Sequence, residues 1–88
     1  MANTASAIKR VRQESKRRAR NRAVKSRMRT FVKQANEAIE KGDRDLAAAA
    51  VLSAVSEIDR AASKGVIHSN NASRSKSRLM LRFNGLSE

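Results

Sequence analysis

The stretch from residue 24 to residue 62, VKSRMRTFVKQANEAIEKGDRDLAAAAVLSAVSEIDRAA, decides the fold. At ~100° per residue, the apolar positions before Gly42 lie within about 60° of Val24, which predicts one apolar helix face. That face consists of Val24, Met28, Phe31, Ala35, Ala38 and Ile39. After Gly42 a second stripe follows, formed by Leu46, Ala50, Val51, Ala54, Val55, Ile58 and Ala62. Because small alanines let helices approach closely, the stretch predicts two packed antiparallel helices.

Glycines and polar residues mark the ends of the predicted helices. A glycine after a helix adopts the left-handed conformation easily, so Gly42, Gly65 and Gly85 are each expected to close a helix. Asp43 suits the N-cap of the second helix, and the polar cluster at 68–71 suits the start of the third. The third helix contributes Ala72, Leu79, Phe83 and Leu86, with Met80 as a gap filler. We therefore expect an all-α single domain over residues 1–88, a three-helix antiparallel bundle with helices at about 6–41, 44–64 and 69–84.

The first helix is longer than its partner, and its N-terminal part is built differently. At 1.5 Å per residue the first helix would span ~54 Å and the second ~31 Å. The part before about residue 21, here called the rod, therefore overhangs the bundle. Cations surround the rod on the helical wheel, and Glu14 alone interrupts them. Since such a helix has no core to hold it, we expect the rod to be frayed or disordered until a polyanion binds.

The composition leaves few functional classes open. The chain has 20 Lys+Arg and 8 Asp+Glu, a formal charge of +12, and residues 1–33 hold 12 basic and 1 acidic residue, net +11. With no Cys and one His, no disulfide, metal site or cofactor is expected. No catalytic triad or Gly-rich phosphate loop is present, so we expect no enzyme. No apolar run could span a membrane, and the N-terminus has no signal-peptide core.

The N-terminus also has the Arg- and Ser-rich, acid-poor character of a mitochondrial transit peptide. The basic stretch, however, continues into the predicted bundle, so a folded cytoplasmic protein is the stronger expectation.

Cations at this density predict phosphate binding with release of counterions. The chain has no Tyr or Trp, and both Phe lie on apolar stripes, so platforms for stacking single-stranded bases are missing. This favours recognition of the backbone and shape of folded, helical nucleic acid. On the first helix the candidate contacts are Lys9, Arg10, Arg12, Lys16, Arg17, Arg18, Arg20, Asn21, Arg22, Lys25, Ser26, Arg29, Thr30 and Lys33. In the segment after Gly65 and on the third helix, the candidate contacts are His68, Asn70, Asn71, Arg74, Lys76 and Arg78.

Some of these residues have a plainer interpretation. Ser26 and Thr30 suit close approach to a phosphate, but ordinary solvated helix positions explain each of them at least as well. His68 is either a capping or packing residue at the start of the third helix, or a contact to a phosphate or base edge beside Asn70 and Asn71.

Three other classes of protein share parts of this pattern. The stretch from Asn21 to Arg27 looks like the basic region of a leucine-zipper protein, but the stripe after it has no Leu and ends at Gly42. A histone-like architectural DNA-binding protein fits the charge, and competition between structured RNA and duplex DNA would distinguish it. A membrane-surface helix would need an apolar face on the rod, where the helical wheel shows none.

Two groups of motifs resemble a known family, and the resemblance extends over nearly the whole chain. The first comprises Ser6-Ala7-Ile8-Lys9-Arg10, Lys16-Arg17-Arg18 with Asn21, and Lys25-Ser26 with Arg29-Thr30. The second comprises Ile58-Asp59-Arg60-Ala61-Ala62, Lys64-Gly65-Val66-Ile67-His68, Asn70-Asn71-Ala72, Arg74 and Lys76-Ser77-Arg78-Leu79. The first group resembles the N-terminal helix, and the second group the second half, of the bacterial small-subunit ribosomal protein S-twenty family.

The resemblance implies a three-helix bundle in the small ribosomal subunit. It implies direct binding to 16S ribosomal RNA early in assembly, in the 5′ domain, with approach to the penultimate long stem. We further expect few protein partners, no small-molecule substrate, no membrane association and no homo-oligomer. The family often has Lys where this chain has Ser69 and Ser75, and Ala where it has Ser73, so more of the binding is expected to fall on the rod.

Overall fold

A computed structural model describes residues 4–86 and contains three α-helices within that range. α1 spans Thr4–Lys41, α2 spans Arg44–Ser63 and α3 spans Ser69–Leu86. Because residues 4–86 include no strand, the predicted all-α class is confirmed. α2 packs on both other helices, whereas α1 and α3 touch each other least.

Two glycines in the left-handed conformation separate the helices. Gly42 has a φ of +78° and Gly65 a φ of +73°, as predicted for residues that follow a helix. After α2 the chain forms a Schellman turn, in which the N–H of Gly65 donates to the carbonyl of Ala62 (3.0 Å) and the N–H of Val66 donates to that of Ala61 (2.9 Å). This turn redirects the chain toward α3 and satisfies the last carbonyls of α2.

Side chains cap the starts of α2 and α3. The N–H of Leu46 donates to Asp43 Oδ1 at 3.2 Å, which confirms Asp43 as the N-cap of α2. At the start of α3, the N–H of Asn70 donates to His68 Nδ1 at 3.1 Å, and the N–H of Ala72 donates to the His68 carbonyl at 3.1 Å. His68 therefore has the capping role that was one of its two interpretations.

The prediction for Gly85 is wrong. α3 continues through Gly85 to Leu86, and Gly85 is not among the glycines of positive φ. Glycine permits the left-handed conformation without requiring it, and a helical glycine costs only ~1 kcal/mol relative to alanine.

The core is small and rich in alanine. Its buried cluster consists of Ala35, Val51, Ala54, Ile58, Ala72 and Leu79. Partly buried residues packed around it include Met28, Phe31 and Ile39 from the predicted first stripe. Ile58 is the largest side chain that is fully buried among the described residues, so small side chains and close helix approach replace a large apolar volume.

Two predicted core residues lie outside the core. Leu46 is 49% exposed, and the core position on that turn is taken by Ala47, which is fully buried. On the helical wheel Leu46 lies about 140° from Val51, too far to share its face. Met80 is 44% exposed because it lies about 100° from the buried Leu79 and does not fill a gap.

The molecule is elongated because α1 extends past its partners. The Cα radius of gyration is 17.8 Å and the principal extents are 67 × 20 × 13 Å. A compact chain of this length would have a radius of gyration of ~12 Å. Every side chain from residue 5 to residue 20 is exposed, and Asn21 is the first partly buried one on α1. The overhang thus begins where the helix lengths predicted it.

Candidate nucleic-acid interface

The rod presents cations on all sides without acidic partners. Its exposed basic residues are Lys9, Arg10, Arg12, Lys16, Arg17, Arg18 and Arg20. Among the described residues, neither of the two ion pairs involves any of them. The few apolar side chains of the rod are exposed as well, Ile8 at 51% and Val11 at 61%. The mutual repulsion of these cations is relieved when anionic groups lie between them.

Below the rod, the outer side of α1 forms a shallow basic groove of about 400 Å³. It is lined by Arg22, Lys25, Ser26, Arg29, Thr30 and Lys33. All of these are residues singled out from the sequence, and spacings of three and four residues place them on one helix side. The groove therefore brings four cations and two hydroxyl groups to one surface.

The two hydroxyl residues of this groove are not equivalent. Thr30 Oγ1 donates to the carbonyl of Ser26 at 3.0 Å, the usual bond of a threonine within a helix. Its proton is thus used inside the helix, and Ser26 is the more suitable donor to a phosphate.

The predicted residues after Gly65 divide into exposed and engaged ones. The exposed ones are His68, Asn70, Asn71, Arg74 and Arg78. Lys76 instead places its Nζ 2.7 Å from Asp59 Oδ1, and its side chain is only 35% exposed. Lys76 therefore joins α3 to α2, and this end of the interface presents fewer free cations than the sequence suggested.

Arg27 has a structural partner and was not predicted as a contact. Its Nε donates to Glu57 Oε1 on α2 at 2.9 Å, and Glu57 is 8% exposed. The guanidinium carbon also lies 5.2 Å from the centroid of the Phe31 ring, a cation–π arrangement. The sequence could not assign this pair, since nothing in it indicates which α1 cation meets Glu57.

Two further cations were not predicted as contacts. Arg82 Nη1 donates to Asn36 Oδ1 at 2.8 Å, which joins the end of α3 to α1. Lys64 lines a cleft of about 470 Å³ together with Arg17, Arg20 and other residues at the base of the rod. The sequence did hold one indication of this position, because Lys64 follows the second predicted helix and so lies opposite the predicted start of the overhang.

Acidic residues collect at the opposite end of the bundle. Glu37 and Glu40 lie on the last turns of α1, and Asp43 and Asp45 follow the Gly42 turn. The basic surface of α1 therefore ends between Lys33 and Glu37. One end of the molecule therefore attracts a polyanion strongly, whereas at the other end carboxylates outnumber the two cations Lys41 and Arg44.

Two other kinds of site are missing from the described part of the chain. Residues 4–86 contain no group of three or more His, Cys, Asp or Glu residues that could hold a metal ion. None of the three described helices combines the length and apolar character required to cross a membrane.

This fold and this surface are typical of small, basic, helical proteins that bind nucleic acid. The chain belongs to the family described as Ribosomal protein S20, whose sequence profile matches residues 2–84. As a member of this family it is a ribosomal protein with a structural role and not an enzyme.

Curated relatives match the chain over nearly its full length. The "Small ribosomal subunit protein bS20" of Coprothermobacter proteolyticus is 57% identical over 84 residues, 96% of each chain. The protein of that name from Geotalea daltonii is 55% identical over 87 residues, 99% of this chain and 100% of the relative. That from Thermomicrobium roseum is 52% identical over 86 residues, 98% of this chain and 87% of the relative.

Proposed function

We propose that this protein is a structural component of the small ribosomal subunit that binds 16S rRNA directly and helps to assemble and stabilise the subunit. The observation that carries the proposal is the exposed cationic surface of α1 between Lys9 and Lys33, which has a single acidic residue, Glu14. The names of the curated relatives support the same subunit.

Binding proceeds through phosphate groups and the shape of folded RNA. Because rod cations point in every direction, the rod fits between several phosphate backbones rather than along one groove. Each phosphate contact releases counterions, so the affinity falls steeply with salt. Eight or more contacts would lower it by ~10³–10⁵ between 50 and 200 mM salt. RNA also supplies the contacts that order the rod.

The end of the bundle near Gly65 supplies a second, smaller contact. In the neutral ring of His68, Nδ1 accepts the Asn70 N–H and the proton resides on Nε2. Nε2–H is then a donor to a phosphate or base edge, so the capping role and an RNA contact are compatible. Asn71 and Arg74 extend this contact along the exposed side of α3.

The chain acts as one domain and as a monomer with few protein partners. A net charge of +12 on 88 residues opposes self-association, because copies of the chain repel each other. Sedimentation of the free protein tests this directly: a stable dimer at low micromolar concentration would contradict it.

The experiment that tests the proposal measures affinity for a 16S 5′-domain transcript over a range of salt concentrations. A double variant, Arg12→Ala with Arg18→Ala, removes two rod cations. The control, Lys41→Ala with Arg44→Ala, removes the same charge at the acidic end. We expect the first pair to weaken binding and to reduce the salt slope by about 1.5, since each contact contributes roughly 0.7–0.9. Equal effects of the two pairs would contradict the proposed surface.

Two further measurements distinguish the proposed partner from others. We expect the protein to co-sediment with small ribosomal subunits at a salt concentration that removes loosely bound proteins. Competition by duplex DNA at the same salt should be weak compared with the transcript. Equal competition by duplex DNA would instead indicate an architectural DNA-binding protein.

A further inference from the structure

A cleft lies where the rod leaves the bundle. It has a volume of about 470 Å³ and is lined from α1 by Arg17, Arg20, Asn21 and Val24, and from the turn after α2 by Lys64, Gly65 and Val66. Arg17 and Arg20 are three residues apart and thus neighbours on one helix side. Two separate segments of the chain therefore bring three cations and one amide to the same space.

These cations have no anion to balance them within the described structure. No carboxylate lines the cleft, and the two ion pairs of residues 4–86 lie elsewhere. Three of the last four carbonyl groups of α2, those of Arg60, Ala61 and Ala62, accept N–H groups of the turn. Three like charges at one cleft repel each other unless an anion is bound between them.

We propose that this cleft holds one phosphodiester group of the RNA backbone, clamped between α1 and the turn after α2. Lys64, which is not among the contacts predicted from the sequence, contacts it together with Arg17 and Arg20, and the Asn21 amide is a further donor. The inference rests on the proposed function and specifies one site of it. The volume lies within the ~300–1,000 Å³ range of small-ligand sites, enough for a phosphate and its sugar.

A phosphate in this cleft would connect the rod to the bundle, which a contact on the rod alone would not do. A phosphate held by both Arg20 and Lys64 ties the base of the rod to the bundle. It thereby sets the direction in which the rod extends from α2, and the rod and the bundle bind as one unit rather than as two independent surfaces.

The chain offers a closely matched control for Lys64. Lys41, the last residue of α1, and Lys64, the C-cap of α2, are both exposed lysines that directly precede a left-handed glycine. They differ in surroundings, since Lys41 lies among acidic residues and Lys64 lies in the cleft. Glutamine at either position keeps a polar side chain of similar helix propensity, one bond shorter than lysine, and removes one charge.

The first test compares Lys64→Gln with Lys41→Gln in binding to the 16S 5′-domain transcript. We expect Lys64→Gln to weaken binding by about tenfold and to reduce the salt slope by ~0.7–0.9, whereas Lys41→Gln changes neither. Circular dichroism of each variant checks that the helices are retained. Indistinguishable effects of the two substitutions would overturn the proposal.

The second test asks whether Lys64 and Arg20 grip the same phosphate. In a double-mutant cycle, Arg20→Gln and Lys64→Gln should be non-additive, because losing either one already disrupts the shared contact. Arg10→Gln, far along the rod, should be additive with Lys64→Gln. Additive losses of binding free energy in both cycles would overturn the clamp. The proposed function would still stand in that case if the wild-type protein binds the transcript with a steep salt dependence.

A third arm separates an RNA phosphate from free phosphate. Inorganic phosphate is added at millimolar concentration while chloride is reduced to hold the ionic strength constant. We expect the difference in affinity between wild type and Lys64→Gln to persist, because a multiply anchored RNA phosphate is not displaced by a free ion. Loss of that difference would assign the cleft to free phosphate and contradict the proposal.

Discussion

Removal of the Arg27 guanidinium should destabilise the bundle although Arg27 is one of many cations on α1. Arg27→Met keeps the apolar stem and removes the guanidinium, which lies 2.9 Å from Glu57 Oε1 and over the Phe31 ring. The Glu57 side chain is only 10% exposed, so it cannot regain full hydration when its partner is lost. Its carboxylate would then be left without a cation in a mostly buried position.

The magnitude follows from the exposure of the two side chains. Breaking a buried pair by removing one partner costs ~3–5 kcal/mol, whereas an exposed pair contributes ~0–1 kcal/mol. Arg27 is 58% exposed, so solvent screening reduces the upper figure substantially. With ~0.5 kcal/mol for the cation–π contact, we expect a loss of about 2 kcal/mol in the free energy of unfolding. For a domain of this size this lowers Tm by roughly 8–16 °C.

Thermal unfolding followed by far-UV circular dichroism measures this loss. Arg29→Met is the control, since Arg29 lies two residues away in the basic groove and should change stability by at most ~0.5 kcal/mol. A double-mutant cycle with Glu57→Gln should give a coupling energy of about 1 kcal/mol. The reasoning is refuted if Arg27→Met costs no more than Arg29→Met, or if the two substitutions of the cycle are additive.

Three further outcomes are expected. Gly42→Ala should lower stability by ~1–2 kcal/mol in thermal unfolding because its φ of +78° is strained for alanine, whereas Gly85→Ala, within α3 and with open space around it, should raise stability by up to ~1 kcal/mol. Asp43→Ala should cost ~1 kcal/mol in urea unfolding, since the N–H of Leu46 loses its acceptor, and an unchanged midpoint would speak against the cap. Deleting residues 1–22 should leave the helical circular dichroism signal per molecule nearly unchanged without RNA, and a loss in proportion to the deleted length would contradict an RNA-ordered rod.

The helices could be predicted from the sequence because their signals are local and agree with one another. Positive-φ glycines, the Asp43 cap and the apolar spacing on α1 all depend on nearby residues. Leu46 and Met80 were wrongly predicted to be buried, because the helix pattern does not decide which of two neighbouring positions on a helical wheel faces the core. In both cases the position about 100° away is the buried one, occupied by Ala47 and Leu79.

The pairing of individual cations with acids could not be predicted, because it depends on the register and rotation of packed helices. Arg27 and Arg29 are alike in sequence, yet one meets Glu57 and the other lines the basic groove. Lys76 was expected at the RNA surface, and it pairs with Asp59 across the α2–α3 contact. The helix lengths indicate that Lys64 lies near the start of the overhang, but its cleft with Arg17 and Arg20 exists only when residues far apart in sequence come together.

Under the proposed function, the separation of charge along the molecule also governs how it approaches RNA in solution. Cations occupy the overhanging end of a body 67 Å long, and the acidic residues beside Gly42 occupy the other end. The field of a polyanion exerts a torque on such a dipole and turns it rod first before any contact forms. Screening limits that field to ~8–10 Å at physiological salt. Because the rod reaches beyond the bundle, it increases the distance at which the protein is attracted to RNA. It thereby raises the fraction of collisions that lead to binding.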